Sequence, residues 1–410
     1  MMSEKYSSPL LILADDLTGA LDSGVQLTRK GMRVVVHTDG CDIRAEKDSA
    51  NDVIVINTET RHLSSEEAYD IVFRLVREAC QCGIDRIYKK TDSGLRGNVG
   101  AELAAALAAS GSGHLNFIPA YPQMERITRN GIHYVDGAPL SESIFAHDPL
   151  DPVTESRIAD LIHRQSKISV TSGCDAVPKG VVVYDAETNA DMRRIAEALQ
   201  AKSDLRLSAG CAGFLEVYPV EGTTASPLDI PELSAKLIVL SGSVNTVTRQ
   251  QLDYAEGMGR PRWHIPLKRA FAGQWSTEEK RTFIQNIWEA CTDQNPLILV
   301  DTLGPCDEIE AEPSPQTVSQ PARHMGSLAS LVAEQGYPCT LMIIGGDTLQ
   351  SFIRERNIRE LCPVGEIAPG IVLASYPDKD TASYLITKSG GFGKKDQLEH
   401  VWRWLQRKQL

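Results

Sequence analysis

The feature that most constrains this fold is a repeated pattern of short apolar runs, each ending in small or polar residues and followed by a helical pattern. The first run, Leu10–Ala14, is uninterrupted, as is typical of a strand buried in a parallel sheet. The other predicted strands are 34–37, 53–57, 86–88, 114–119, 181–184, 237–240, 297–300, 341–344 and 384–387. Strands that alternate with helices predict an α/β protein whose sheets are mostly parallel and flanked by helices.

The chain length predicts two domains, because 410 residues exceed what one average core accommodates. The segment 218–234 contains three prolines, one glycine and several serines and threonines, a composition typical of a linker. We therefore expect one domain over residues 1–225 and a second over residues 226–410.

Composition argues against several classes of protein. The net charge of -12 disfavours general nucleic-acid binding, which needs a basic surface. No apolar run has the length of a membrane span, and the first eight residues lack the apolar core of a signal peptide. The nine scattered cysteines are expected to be reduced, without structural zinc. We expect a cytoplasmic protein with a small-molecule partner.

The densest group of reactive side chains lies where a predicted strand meets the next helix. It comprises Lys89, Lys90, Thr91, Asp92, Ser93, Gly94, Leu95, Arg96, Gly97 and Asn98. Cations beside the unpaired N–H groups of a helix N-terminus make a site for a carboxylate or a phosphate. A solvated turn with a surface ion pair is the alternative interpretation.

Two other strand ends add charged residues. Asp15 and Asp16 follow the first strand, at the position where open α/β sheets bind ligands. They repel each other unless a cation, a metal or substrate hydroxyls use them, although Asp16 alone would also serve as a helix cap. Arg61 follows the third strand and either joins the anion site or pairs with Glu59 at the surface.

Four further segments carry predictions. Residues 121–151 are too long for a plain connection and predict a functional flap or an excursion from the sheet. Within it, His133 and His147 form a metal site or, as we favour, are structural histidines. Ser64 and Glu67 predict a capping box. Residues 208–213 predict a small-residue turn, and residues 305–320 a mobile loop.

Three small-residue turns follow strands in the second half and together predict a nucleotide site. They contain Ser241, Gly242 and Ser243, then Gly345, Gly346, Asp347 and Thr348, and finally Lys388, Ser389, Gly390, Gly391, Phe392 and Gly393. Glycine lets the backbone approach a phosphate, and hydroxyls and helix N-termini bind it. Neither a Walker A motif nor a dinucleotide fingerprint is present, and such turns also serve packing alone.

The reaction class that needs the features of both halves is phosphoryl transfer from a nucleotide to a small acid. We expect it to take place in a cleft between the domains, with Mg²⁺ bridging the phosphates. The rival hypotheses are a nucleotide-sensing module without turnover, an oxidoreductase on a similar acid, and a nucleic-acid enzyme such as a tRNA-related synthase. The missing dinucleotide fingerprint weighs against the second, and the acidic balance weighs against the third.

Four motifs resemble those of the four-carbon acid sugar kinase family and follow one another in the same order as in that family. The resemblance covers the chain nearly from end to end. The four motifs are 14–20 with Asp22, 89–97, 345–348 and 388–393. The resemblance implies an acid-sugar-binding domain over 1–225, a nucleotide-binding domain over 226–410, and ATP-dependent phosphorylation of the terminal hydroxyl of threonate, erythronate or 3-oxo-tetronate. Residues 15–17 and 133–137 look more like the threonate and erythronate branch, and we expect D-threonate.

The resemblance also implies which residues bind the ligands. The substrate set is Asp15, Asp16, Arg61, Lys90, Thr91, Asp92 and Ser93, to which the sequence adds Lys89 and Arg96. The ATP set is Ser241, Ser243, Gly345, Gly346, Asp347, Thr348, Gly390 and Gly391. Arg61, Arg96 and one of the paired lysines are expected to hold the substrate carboxylate. The catalytic carboxylate that orients the terminal hydroxyl is Asp16, Asp92 or Asp347, and the sequence leaves that choice open, as it does the metal ligands. The base rate for soluble enzymes favours a homodimer.

Overall fold

The computed structural model describes residues 8–148, 151–173, 179–220, 230, 232–243, 245–265, 275–302, 320–378 and 381–407. It divides into two compact units, Met1–Pro227 and Leu228–Leu410, which are described separately below. The predicted boundary between residues 225 and 226 lies outside the described residues, as does the predicted loop at 305–320 except for Gln320, which begins a helix.

The first unit is built on a parallel sheet. Its strands along the chain are β1 (Leu10–Ala14), β2 (Val34–His37), β3 (Val53–Asn57), β4 (Arg86–Lys90), β5 (His114–Ile118), β6 (Arg126–Arg129), β7 (Ile132–Val135), β8 (Ala138–Pro139), β9 (Val170–Ser172), β10 (Gly180–Val183) and β11 (Leu207–Gly210). Its helices are α1 (Leu17–Thr28), α2 (Ile43–Lys47), α3 (Ser65–Gln81), α4 (Val99–Ser110), α5 (Ile158–His163), α6 (Asn189–Ala201) and α7 (Ala212–Val217). Eight strands pair in parallel in the order β2-β3-β1-β4-β11-β5-β10-β9.

Local sequence explains much of this unit. The predicted strands β1, β2 and β3 are confirmed, and every residue of β1 is completely buried. The predicted capping box of α3 is also confirmed, since the Glu67 amide donates to the Ser64 hydroxyl (3.2 Å) and the Ser64 amide donates to the Glu67 carboxylate (3.0 Å). Ala68, Val72 and Val76 recur at a spacing of four residues and form the buried face of α3.

The predicted turn at 208–213 is wrong. Ser208 to Gly210 belong to β11, which lies between β4 and β5, and α7 begins at Ala212. Small residues fit this central strand because its neighbours leave no room for a side chain at its end. A Cβ added at Gly210 would lie 2.7 Å from the Tyr88 hydroxyl and 2.1 Å from the Ile118 carbonyl oxygen.

Residues 121–148 leave the main sheet, as the length of that segment predicted. They form a separate antiparallel sheet, β6-β7-β8, followed by short 3₁₀ turns. Its return connection leads to α5, which begins at Ile158.

The second unit has a mixed sheet. Its strands are β12 (Leu237–Ser241), β13 (Arg262–His264), β14 (Leu297–Asp301), β15 (Thr340–Ile344), β16 (Glu360–Ala368), β17 (Ile371–Asp378) and β18 (Thr381–Lys388). Its helices are α8 (Thr246–Gly257), α9 (Thr277–Ala290), α10 (Gln320–Gln335), α11 (Gly346–Glu355) and α12 (Gln397–Arg407). The strand order is β13-β14-β12-β15-β18-β17-β16, in which β17 runs antiparallel to both of its neighbours.

The α/β class is confirmed, but the apolar runs of the sequence did not predict the strands β6, β7, β8, β9, β11, β13, β16 and β17. The strand β16 contains proline, glycine and two glutamates, and its register shifts twice against β17, so no continuous apolar run marks it. Among the described residues, no helix combines the length and the apolar character needed to cross a bilayer.

Candidate functional site

The charged residues of the first unit meet at the carboxyl ends of three neighbouring strands. The central strand β1 pairs with β3 on one side and with β4 on the other, with Ala14 opposite Asn57 and Lys90. The residues that follow these strands therefore lie side by side. This register brings Asp15 and Asp16, Arg61 and Asp92 together, although they are far apart in the chain.

Arg61 is the centre of this cluster. Its Nε donates to Asp15 Oδ2 and its Nη2 to Asp16 Oδ1, both at 2.7 Å, and Nη2 lies 3.7 Å from Asp92 Oδ1. The Arg61 side chain is only 10% exposed. Burial alone would lower the pKa of Arg61, but the three carboxylates raise it well above its usual value. Arg61 thus belongs to the buried cluster, and the surface pairing with Glu59 is not what fixes its guanidinium.

Asp16 combines both roles that the sequence allowed. Its carboxylate accepts from the Gly19 amide at 3.0 Å, which caps α1, and also pairs with Arg61. Burial acts to raise the pKa of Asp16, but Arg61, Lys90 and the Thr18 hydroxyl outweigh it and lower that pKa.

Asp92 is held by a second arginine. Arg96 donates from Nε and Nη2 to the two Asp92 carboxylate oxygens at 2.9 and 3.0 Å, and from Nη1 to Asp148 at 2.8 Å. Burial acts to raise the pKa of Asp92, yet Arg96 and Arg61 together hold it far below its usual range. Asp92 is therefore ionised at neutral pH, holds the Arg96 guanidinium through both carboxylate oxygens, and lies within ion-pair distance of Arg61.

The paired lysines point to opposite faces of the sheet because both lie within β4. Lys90 faces the cluster: its Nζ lies 2.9 Å from where a Cβ on Gly19 would be, and it donates to the Thr91 carbonyl oxygen at 2.8 Å. Lys89 is completely buried, with its Nζ 3.0 Å from Glu102 Oε2 of α4. Sequence reasoning placed both lysines in one turn, and the strand's extension through Lys90 separates them.

Three buried polar atoms of the cluster have no hydrogen-bond partner within the described part of the chain. They are Asp15 Oδ1, Thr91 Oγ1 and Ser93 Oγ. Buried polar atoms are normally paired, and unpaired ones cost free energy. Acceptors and hydroxyls left open beside fixed cations are what a polyhydroxylated acid would satisfy.

The excursion contributes residues that the sequence analysis did not assign to the site. His133 lies close to Ser93 O (3.0 Å) through Nε2 and to Thr128 Oγ1 (3.2 Å) through Nδ1, which supports the structural interpretation of this histidine. Burial lowers the pKa of His133 to about 4, so the ring is neutral near pH 7. The centroid of the Phe145 ring lies 5.1 Å from Arg96 Cζ, and Asp148 forms an ion pair with Arg96. The unusual length of 121–151 was the one signal of their importance.

In the second unit the predicted turns also share one edge of a sheet. Ser241 lies opposite Asp301 and Ile344, and Ile344 lies opposite Lys388, so the strands β14, β12, β15 and β18 end at one level. Ser241 is completely buried, and its hydroxyl accepts from the Ser243 amide at 3.4 Å.

These turns approach one another closely. A Cβ on Gly390 would lie 2.5 Å from the Ser243 hydroxyl, and one on Gly345 would lie 3.4 Å from both Ser243 Cβ and the Thr348 hydroxyl. Gly391 lies beside Asn245, which caps α8. The backbone at Gly345 and Gly390 therefore lies close to the side chains of Ser243 and Thr348.

The remaining turn residues lie in the first turn of α11, which begins at Gly346. Gly345, with φ of +104°, precedes the helix. Asp347 is exposed, whereas the Thr348 hydroxyl is buried and has no partner in the described residues. A buried hydroxyl at a helix N-terminus and an exposed carboxylate one residue earlier suit a phosphate and its cation.

Comparison with known proteins adds an independent finding. Residues 10–218 match a family described as a sugar-binding N-terminal domain, and residues 238–398 match one described as a nucleotide-binding C-terminal domain. The chain is 29% identical to the D-threonate kinase of Salmonella typhimurium over 95% of this chain and 96% of that protein. It is 34% identical to the D-erythronate kinase of Heliobacterium modesticaldum over 61% and 60% of the two chains. It is 26% identical to a 3-oxo-tetronate kinase of Pseudomonas fluorescens over 95% of each.

Proposed function

The chain belongs to the four-carbon acid sugar kinase family, and from this we propose that it transfers the γ-phosphoryl group of ATP to the 4-hydroxyl of D-threonate. The chain is an ATP-dependent kinase of four-carbon sugar acids. The observation that carries the choice of D-threonate is the similarity to a D-threonate kinase over nearly the full length of both chains. D-Erythronate and 3-oxo-tetronate are the alternatives, because kinases named for those acids have comparable identities.

The geometry of the first unit supports a specific mode of substrate binding. Lys90 and Arg61 lie beside the carboxylates of the cluster and would attract the carboxylate of the acid. The open atoms Asp15 Oδ1, Thr91 Oγ1 and Ser93 Oγ would pair with its hydroxyls. We leave Lys89 out of this contact set, because its ammonium group is enclosed and paired with Glu102.

The catalytic carboxylate orients the terminal hydroxyl for in-line attack, and Asp16, Asp92 and Asp347 remain its candidates. Phosphoryl transfer depends mainly on positioning and charge stabilisation, so a strongly basic carboxylate is not required. Asp92, although its pKa is low, would act by holding Arg61 and Arg96 in place.

The second unit would hold the nucleotide. The turns of Ser243, Gly345 and Gly390 let the backbone approach phosphate, and the open Thr348 hydroxyl is an additional donor. Mg²⁺, which neutralises charge on the transferring group, fits the exposed Asp347 carboxylate next to that hydroxyl, since Mg²⁺ prefers oxygen ligands.

The test is an ADP-release assay with Mg-ATP and a panel of D- and L-threonate, D- and L-erythronate and 3-oxo-tetronates. We expect D-threonate to give the highest kcat/KM by a factor of about 10 or more, which corresponds to roughly 1.4 kcal/mol of discrimination. A higher value with another acid of the panel would reassign the substrate. If a folded protein that binds ATP releases no ADP with any acid of the panel, the proposal is refuted.

Asp92→Asn separates binding from catalysis within this proposal. If Asp92 only holds the arginines that bind the acid, KM for the acid rises while kcat changes little. An equal fall in kcat and kcat/KM would instead assign Asp92 to the transition state. Asp347→Asn is assayed in parallel at varied Mg²⁺ concentration. Comparing the two variants shows whether a change in KM or kcat arises at the acid site or at the nucleotide site.

We also propose that the protein acts as a homodimer in the cytoplasm. Support comes from the prevalence of symmetric dimers among soluble enzymes and from the scattered cysteines. A molar mass near twice 44.9 kDa in light scattering is the expected result, and a mass near 44.9 kDa would refute the dimer.

A further inference from the structure

Lys388 is a buried cation that neither the substrate set nor the ATP set includes. It is the last residue of β18, and its carbonyl oxygen accepts from the Gly345 amide at 2.9 Å. Its side chain is completely buried. The ammonium group donates to the carbonyl oxygens of Ser389 (2.8 Å) and Gly390 (3.3 Å).

This lysine is electrostatically unusual. Within the described part of the chain, no carboxylate forms an ion pair with it, and its contacts are to neutral carbonyl groups. Burial lowers the pKa of Lys388 to about 7, and no titratable or charged side chain of the described residues contributes to that lowering. An uncompensated buried ammonium is costly, so a buried lysine without an anion is expected at a place where an anion later arrives.

The two carbonyl contacts fix the orientation of the turn that follows. In a trans peptide the C=O and N–H bonds point in opposite directions, and the described residues contain no cis peptide. Because the Ser389 and Gly390 carbonyl groups both point at the ammonium, the Gly390 and Gly391 N–H groups point away from it. Successive N–H groups on one side of a turn form an anion-binding concavity.

Neighbouring elements hold the same turn from the other direction. The Thr248 hydroxyl of α8 donates to Gly390 O at 2.7 Å, and Gln251 Nε2 donates to Phe392 O at 2.9 Å. Gly390 also lies against the Ser243 hydroxyl, with no room for a side chain. The turn is therefore a rigid part of the edge at which the predicted nucleotide residues meet.

We propose that Lys388 is a positioning residue of the nucleotide site, which orients the peptide groups of residues 389–391 toward the phosphates and takes up a proton from solvent when the nucleotide binds. This inference rests on the proposed function only in that the second unit must bind a nucleotide. The negative phosphates favour the charged ammonium, and the charged ammonium in turn binds the two carbonyl oxygens more strongly.

Proton uptake is the decisive measurement. Calorimetric titration of the full chain with ADP, without sugar acid, in buffers of different ionisation enthalpy gives the protons bound per nucleotide. With a pKa of about 7 in the free protein, we expect uptake of up to about 0.9 proton at pH 8 and about 0.1 at pH 6, beyond any contribution from ADP itself. Lys388→Met should abolish the difference in proton uptake between pH 8 and pH 6. Lys394→Met, which removes an exposed lysine six residues later, should retain that difference.

Kinetics provide a second readout that a purely structural lysine would not give. Lys388→Met should raise KM for ATP about tenfold or more while leaving KM for the acid unchanged. If ADP binds to the wild-type protein with no extra proton uptake at pH 8, the inference is overturned even if Lys388→Met cannot be folded. If no nucleotide binds at all, both the proposed function and this inference fail. Nucleotide binding without proton uptake overturns the inference alone, so the two failures are distinguishable.

Discussion

Replacing Lys89 by Met, Glu102 by Leu, and both residues together tests whether Lys89 is a structural partner or a substrate contact. The two groups form an ion pair of 3.0 Å, with side chains 0% and 2% exposed. Glu102 also accepts a hydrogen bond from the Thr60 hydroxyl, which remains paired with Thr58 (2.8 Å) when Glu102 is lost. The double substitution therefore leaves the Thr60 hydroxyl paired and, beyond the ion pair, removes the hydrogen bond from the Lys89 ammonium to the Lys90 carbonyl oxygen (2.7 Å).

The expected magnitudes follow from burial. Removing one member of a buried pair leaves the other charge uncompensated and costs about 3–5 kcal/mol, whereas replacing both by apolar residues is often neutral. For a unit of this size, roughly 2–4 °C of melting temperature corresponds to each kcal/mol, so each single variant should melt roughly 6–20 °C lower. The double variant should recover most of that loss.

The pH dependence has a definite sign. Burial raises the pKa of Glu102 above its usual value, and Lys89 is the largest influence that lowers it. In Lys89→Met the folded-state pKa of Glu102 therefore rises further above the unfolded value. Such a group favours the folded state below its unfolded pKa, and the benefit is lost as pH rises through the folded pKa. The destabilisation of Lys89→Met should thus be larger at pH 8 than at pH 5.5.

The assay must follow the first unit. All five tryptophans lie in the second unit, at positions 263, 275, 288, 402 and 404, so far-UV circular dichroism is needed beside tryptophan fluorescence. Initial rates with varied acid complete the measurement. A double variant that melts like wild type but has a KM for the acid tenfold higher would refute our reasoning and return Lys89 to the substrate set. Single variants that melt within about 1 °C of wild type would refute the buried-pair argument.

Two further predictions concern the arginine cluster. Arg61→Met should destabilise the protein by about 3–5 kcal/mol at pH 7, because Asp16 and Asp92 keep their charges. Since Arg61 lowers the pKa of both carboxylates, its stabilisation is fully present above their unfolded pKa of about 3.9 and is lost only as pH falls through their lower folded pKa values, so the gap between the urea midpoints of variant and wild type should begin to narrow only below about pH 4. Gly97→Ala places a Cβ 3.0 Å from Arg61 Cγ at φ of +81°, whereas Gly111→Ala, at φ of +68°, meets nothing within 4 Å. Both variants should lose about 1 kcal/mol of stability to backbone strain. Only Gly97→Ala should also lower kcat/KM for the acid, and equal activities of the two variants would contradict the proposed contact between Arg61 and the acid.

Several features of this protein were determined by the sequence alone. The strands β1, β2 and β3 have the predicted bounds because continuous apolar runs leave few alternatives to a buried parallel strand. The capping box of α3 needs only residues three apart. The grouping of Asp15, Asp16, Arg61 and Asp92 was also predictable in outline, because parallel strands present their carboxyl ends at one edge.

Other features required the tertiary structure. Residues 208–213 have the local composition of a turn, yet Ser208 to Gly210 form a central strand because Tyr88 and Ile118 fill the adjacent space. The antiparallel strand β16 carries no apolar run, since its bulges and its partner β17, rather than its own residues, define it. Local pattern cannot report such constraints, which arise from neighbours distant in sequence.

The same distinction applies to charge. The sequence placed Lys89 and Lys90 together as two cations of one motif. Whether a cation faces a ligand or a buried carboxylate depends on which side of a strand it occupies and on what packs there. The tertiary structure gave Lys89 the partner Glu102 and left Lys388 with neutral carbonyl groups, because alternation along β4 and burial at the end of β18 are properties of the assembled sheets.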